Sequence, residues 1–149
     1  GTIGGLKLLK NKFNKKAKDI LVSNCDVIHD FNYSDFYNHH KSNNFDITLV
    51  VSTKNYKIPY GVCEINNDGS LKRVHEKPEQ KFLINTGLYL IKKKVINLIS
   101  NSVSLNINEL FEMVKKKNYK IGVYPINDFN WKDIGQLKEY FETLNIQEK

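Results

Sequence analysis

Short apolar runs alternate along this chain with segments whose apolar positions repeat at helical spacing. "DILVS" (19–23) reads as a short strand. "YSDFYNHHKSNN" sets Tyr33, Phe36, Tyr37 and His40 on one helical face and stops at Asn43-Asn44. "DITLVVS" is apolar and β-branched throughout, the pattern of a strand buried on both faces. "GVCEI", "NNDG" and "SLKRVHE" place two alternating runs across an Asp-Gly turn, which predicts a β-hairpin. "FLINTGLYLI" predicts a strand interrupted by polar Asn85-Thr86-Gly87.

Two helices are predicted next, "KKKVINLIS" and "NINELFEMVKKKN", the second with Ile107, Leu110, Phe111 and Val114 on one face. "YKIGVYPI" is a strand, "FNWKDI" a crossing segment and "GQLKEYFETLNI" a last amphipathic helix. A short helix over Leu6, Leu8, Leu9 and Phe13 precedes all of these. Strands alternating with helices, with one antiparallel hairpin inserted, predict an α/β fold. Its sheet is Rossmann-like, mostly parallel and helix-flanked. No repeat or linker divides residues 1–149, which read as one domain.

Composition adds little to this picture. The chain has 149 residues, 40% of them hydrophobic and 26% charged, as in ordinary globular domains. No apolar run reaches the roughly 20 residues a membrane helix needs, and "GTIGGLKLLKNKF" lacks a signal peptide's apolar centre. Cys25 and Cys63 fit no metal spacing, so a cytoplasmic protein with reduced thiols is expected. The net charge of +7 invites a nucleic-acid reading. Arg73 is the only arginine, however, and the lysines are spread along the whole chain, which argues against base readout. Anionic small molecules fit the charge equally well.

Polar clusters fall at strand ends, where ligands of open α/β sheets bind. They are Asn24-Asp26, Tyr60-Gly61, Glu76-Lys77-Pro78, Asn85-Thr86-Gly87 and Trp131–Gly135. Asp26 is the sharpest question among them, because a carboxylate between apolar runs costs free energy unless something pairs with it. No Ser/His/Asp or Cys/His set is readable. His39 and His40 are adjacent, so on a helix they point apart, and His29 and His75 are isolated.

In order and spacing, "GTIGGL", "NCDV", "IPYGVCEIN", "VHEKPEQKFLINTGLYLI" and "WKDIG" resemble the motifs of the sugar-1-phosphate nucleotidyltransferases. The nearest branch resembled is that of mannose- and heptose-1-phosphate guanylyltransferases, including members linked to CBS domains. The resemblance covers the whole chain. It implies the glycosyltransferase-A-like nucleotidyltransferase fold without its N-terminal strands. The family's opening glycine-rich phosphate loop has no counterpart here, so the chain reads as beginning partway into a catalytic domain and as inactive by itself. Cys25, Lys132 and Asn106 stand where the family more often has Gly, Leu and Asp.

The implied reaction joins a nucleoside triphosphate to a sugar 1-phosphate and releases pyrophosphate, for surface polysaccharide or lipopolysaccharide synthesis. By resemblance Asp26 and Asp133 hold Mg²⁺, and Lys77 balances the sugar phosphate. Glu76 and Asn85 fit sugar hydroxyls, Gly61 and Gly87 let backbone groups approach the sugar, Asn24 and Tyr60 bind substrate, and Gly1, Thr2 and Gly4 approach the base or phosphates. The expected partners are these small molecules. A second copy of the chain or the absent opening segment is the expected protein partner, and no nucleic acid or membrane is expected. The competing reading is a non-catalytic sugar-nucleotide-binding or regulatory module of the same fold.

Overall fold

A computed structural model describes residues 3–9, 12, 16–99 and 105–135. The C-terminal helix expected over "GQLKEYFETLNI" and the positions of Gly1 and Thr2 lie outside the described residues. Four strands form the central sheet: β1 (Asp19–Ser23), β3 (Ile47–Lys57), β6 (Glu79–Lys92) and β7 (Ile121–Ile126). Their spatial order is β1-β6-β3-β7. β1, β3 and β7 run one way, and β6 runs against them between β1 and β3. The expected hairpin, β4 (Val62–Ile65) and β5 (Leu71–His75), is a separate two-stranded sheet.

Helices cover both faces, because β6 alternates across the sheet. Leu88 and Leu90 pack with Val50, Ile126 and Phe36, the last from helix α1 (Tyr33–Ser42). Tyr89 and Ile91 face the other way. They pack with Ile47, with Val95 and Ile96 of α2 (Lys93–Ile96), and with Leu110 and Val114 of α3 (Ile107–Lys116). Asn32 caps α1 by accepting from the Ser34 and Asp35 amides. Asn106 and Glu109 form a reciprocal capping box on α3, so an amide at position 106 has a structural use of its own.

Two local expectations change. The helix expected over Leu6–Phe13 is a 3-10 turn over Gly4–Leu9. "KKKVINLIS" closes into a single helical turn, α2, without side-chain capping. Two strands were not legible as such: β2 (Val27–His29) and β8 (Trp131–Asp133) pair as an antiparallel ribbon. At three residues each they are too short for alternation to show. Among the described residues, no helix is long and apolar enough to cross a membrane.

Burial of polar groups gives this fold a pH signature. His40 of α1 is fully buried with Nδ1 2.7 Å from the Thr48 hydroxyl. Burial pushes its pKa below the ordinary 6.5, against the raising effect of nearby Asp19. His29 of β2 is likewise lowered by burial. The folded state therefore binds fewer protons than the unfolded chain below pH 6.5, and its stability falls as pH falls through that range.

Asp46 adds a second, more acid step. Burial alone would raise its pKa, but bonds from Lys94, the Lys120 amide and Lys92 outweigh it and hold the carboxyl below 3.8. That stabilisation is present above 3.8 and is lost as pH falls through the folded value. Thermal unfolding midpoints should drop between pH 7 and 5 and again in strong acid. The first drop should flatten in His29→Gln/His40→Gln. A midpoint constant from pH 7 to 5 would contradict the assignment.

Candidate active site

The polar interruption in β6 is a break in register. Leu49 pairs with Tyr89 and Val51 with Asn85, so β6 carries extra residues opposite Val50. Such a bulge re-aims side chains at a sheet. Here the Thr86 hydroxyl donates to the Val50 carbonyl (3.0 Å), and the Asn85 amide group donates to the Tyr89 hydroxyl (2.8 Å). Gly87, at φ +81°, donates its N–H to Asn85 Oδ1 and accepts from the Asn24 amide at 3.0 Å. A Cβ on Gly87 would stand 2.6 Å from Asn24 Nδ2, so the glycine lets the loop after β1 close down on β6.

That loop carries Asp26. The β2–β8 ribbon pairs Val27 with Asp133, and the Ile134 amide donates to the Asp26 carbonyl at 2.9 Å. Residues far apart in sequence thus bring two carboxylates together. The position a Cβ would take on Gly135 is 2.8 Å from Asp26 Oδ2 and 3.2 Å from Asp133 Oδ1. The Gly135 amide donates to Asp133 Oδ1 and orients that carboxylate. Asp26 itself is exposed rather than set in an apolar wall.

His29 ties the ribbon to the sheet. Since the Thr86 hydroxyl spends its proton on Val50, its oxygen accepts from His29 Nε2–H at 3.1 Å. This fixes the Nε2-protonated, neutral tautomer, in keeping with the lowered pKa.

These elements wall a cleft of about 410 Å³. Of the residues expected at the site, Asn24, Asp26, Asn85, Gly87 and Asp133 line it. Tyr60, Gly61, Glu76 and Lys77 do not. They gather at the base of the β4–β5 hairpin, where a Cβ on Gly61 would meet Glu76 Oε2 at 3.2 Å. Lys77 has φ +44°, and its ammonium stands 4.0 Å from Glu76. Gly4 lies in the 3-10 turn.

Sequence reasoning missed Lys54 and Tyr56, which line the cleft from the outer half of β3. The signal was available: after Val51 the strand continues as "STKNYK", placing Ser52, Lys54 and Tyr56 on one face at period two. Among the described residues, no group of three or more His, Cys, Asp or Glu could hold a metal. The paired carboxylates suit an ion that takes one or two of them and fills its shell with phosphate oxygens and water, as Mg²⁺ does.

Known proteins share this framework. The profile of the NTP_transferase family, described as nucleotidyl transferase, matches residues 1–149. The chain is 30% identical over 143 residues to the mannose-1-phosphate guanylyltransferase catalytic subunit beta of Drosophila pseudoobscura pseudoobscura. That match covers 94% of this chain and 38% of the relative, so the chain spans well under half of the protein it resembles. The crystal structure of HddC from Yersinia pseudotuberculosis superposes with a TM-score of 0.64 at 21% identity, over 95% of this chain and 60% of that one. The same protein complexed with GMP-PN superposes equally well, at 19% identity, with the same coverage of both chains. At these identities the two structures establish the glycosyltransferase-A-like fold.

Proposed function

The chain belongs to the nucleotidyl transferase family, and from that premise we propose that its cleft serves transfer of a nucleoside monophosphate to a sugar 1-phosphate. The observation that carries this reading is the convergence of Asp26 and Asp133 on Gly135, beside Asn24, Asn85 and Gly87. In the reaction, an oxygen of the sugar phosphate bonds to the α-phosphorus of the triphosphate. The α–β P–O bond breaks, and pyrophosphate leaves with its electron pair. The attacking oxygen is already an anion, so no general base is required, and the cleft carboxylates Asp26 and Asp133 are left for a cation.

What the step demands is alignment and charge neutralisation. Asp26 and Asp133 would hold a divalent cation, Mg²⁺ by the chemistry of the pair. Bound there, it would offset the negative charge of the reacting phosphates. Asn24 and Asn85 offer amides to sugar hydroxyls, and Gly87 lets the ligand approach the backbone. The guanylyltransferase relative and the GMP-PN complex of the structural neighbour favour GTP as the donor and mannose 1-phosphate as the acceptor. The product is an activated glycosyl donor of the kind polysaccharide and lipopolysaccharide synthesis consumes. The cytoplasm supplies the triphosphate and keeps thiols such as the exposed, free Cys25 and Cys63 reduced.

The test is pyrophosphate release by the protein carrying these residues, with mannose 1-phosphate, Mg²⁺ and each triphosphate in turn. Release with GTP above the others is expected. Binding of the sugar nucleotide without release would instead support the non-catalytic module. Lys77 matches the family's sugar-phosphate lysine, so Lys77→Ala should raise KM for the sugar 1-phosphate by about tenfold or more, as loss of a charged hydrogen bond does. KM for the triphosphate should change far less. An equal change for both substrates would reassign Lys77 to a solvated turn.

A further inference from the structure

We propose that Lys54 is a phosphate-binding residue of the cleft, setting its ammonium against the phosphate of a sugar 1-phosphate beside Asp26 and Asp133. The assignment rests on the nucleotidyl-transfer reading above and deepens it. Neither the family resemblance nor the hairpin cluster around Lys77 gives Lys54 a role.

Position is the first argument. Lys54 lines the same cleft as both carboxylates and Asn85. On the β3–β6 ladder it pairs with Phe82, while Val51 pairs with Asn85. The three-residue step between those pairs is about 10 Å along the strands. A lysine side chain and a hexose 1-phosphate together bridge that span, with the sugar on Asn85 and the phosphate turned toward the ammonium.

Charge is the second argument. Two carboxylates face this cleft, and a sugar phosphate entering it needs compensating positive charge beyond what one divalent cation supplies. A lysine delivers a compact point charge suited to phosphate.

Lys54 is also held loosely enough to be drawn to a phosphate. Its Nζ is 3.0 Å from Asp128 Oδ1 and 5.4 Å from the centroid of the Trp131 ring. Its side chain is 25% exposed and that of Asp128 is 51% exposed. A pair so open to water is weak, and a phosphate dianion offers the ammonium twice the charge of the carboxylate. Asp128 lies in the 3-10 turn Asp128–Asn130 that leads directly into β8. The strand that carries Asp133 therefore also parks the lysine, with the Trp131 ring flanking its ammonium. Asp128 acts as a placeholder that the substrate displaces.

The placeholder relation makes the test asymmetric. Mannose 1-phosphate is titrated calorimetrically, with Mg²⁺, into wild type, Lys54→Gln, Lys54→Arg and Asp128→Asn. Thermal unfolding confirms that each variant is folded. Lys54→Gln should weaken binding about ten- to hundredfold, the effect of losing a charged hydrogen bond, and Lys54→Arg should restore most of it. Asp128→Asn should bind as tightly as wild type or a few-fold more tightly, because it removes a carboxylate that competes with the phosphate for the ammonium. A purely structural ion pair would make Lys54→Gln and Asp128→Asn weaken binding alike, and that outcome overturns the proposal. So does wild-type affinity in Lys54→Gln, which would leave the wider reading of the cleft intact. No binding by wild type would overturn that reading and the role of Lys54 together.

Discussion

Asp133→Asn, in the protein carrying these residues, is expected to lower pyrophosphate release by about a thousandfold or more at saturating Mg²⁺. Asp26→Asn should do the same. The substitution keeps the shape of the side chain and the acceptor that the Gly135 amide uses at 3.1 Å. It removes the negative charge that competes for a divalent cation. Either carboxylate alone would leave the ion with one protein ligand, so the two losses should not add: the double variant should be little worse than either single.

Metal binding can be read without turnover. Mn²⁺ added to wild type should broaden the NMR signal of the Gly135 amide, which lies beside both carboxylates, and the broadening should vanish in either variant. Unfolding midpoints should stay within a degree or two of wild type, because Asp26 is exposed and neither substitution opens a cavity. Near-wild-type rates in one of the variants would refute the paired-carboxylate site.

The two carboxylates that meet at Gly135 could be picked out from sequence because their motifs are local and collinear with those of a family. The cleft as a whole could not. Lys54 enters it through strand pairing: β3 continues past its apolar run as half of a long ladder with β6, whose last pair is Lys57 with Glu79. A window ending at "DITLVVS" stops where burial stops, and the polar continuation looks like a loop. The interruption at Asn85–Gly87 was visible as a break in pattern. Its meaning as a bulge depended on how many residues β3 sets opposite it, which one strand cannot reveal. β2 and β8 are each strands only because the other is there. Lys77 shows the reverse case, a motif readable residue by residue whose place relative to the cleft depends on how a separate hairpin is carried. The same dependence on a distant partner governs one glycine that no motif marks.

Gly122→Val should destabilise the fold by about 3 kcal/mol or more, although valine is the better strand former by roughly 1 kcal/mol. Gly122 sits in β7, buried and paired with Thr48 of β3. A Cβ there would come within 2.3 Å of Phe45 Cδ2 and Cε2 and 2.6 Å of Cζ. The ring lies across the glycine, so three of its carbons collide rather than one flexible tip. Its backbone cannot yield easily. The Phe45 amide donates to the His40 carbonyl at the end of α1, and the Asp46 amide donates to the Lys120 carbonyl two residues before Gly122. The ring also packs on His39, with centroids 5.6 Å apart. Relief would require swinging the half-buried Phe45 ring out into water and giving up its packing on His39. Chemical denaturation of Gly122→Val, Phe45→Ala and the double variant measures both the effect and its cause. The double variant should be more stable than the sum of the single losses predicts, by about 1 kcal/mol or more. Additive losses would mean that the ring is not what the glycine accommodates, and a valine variant as stable as wild type would remove the close approach altogether.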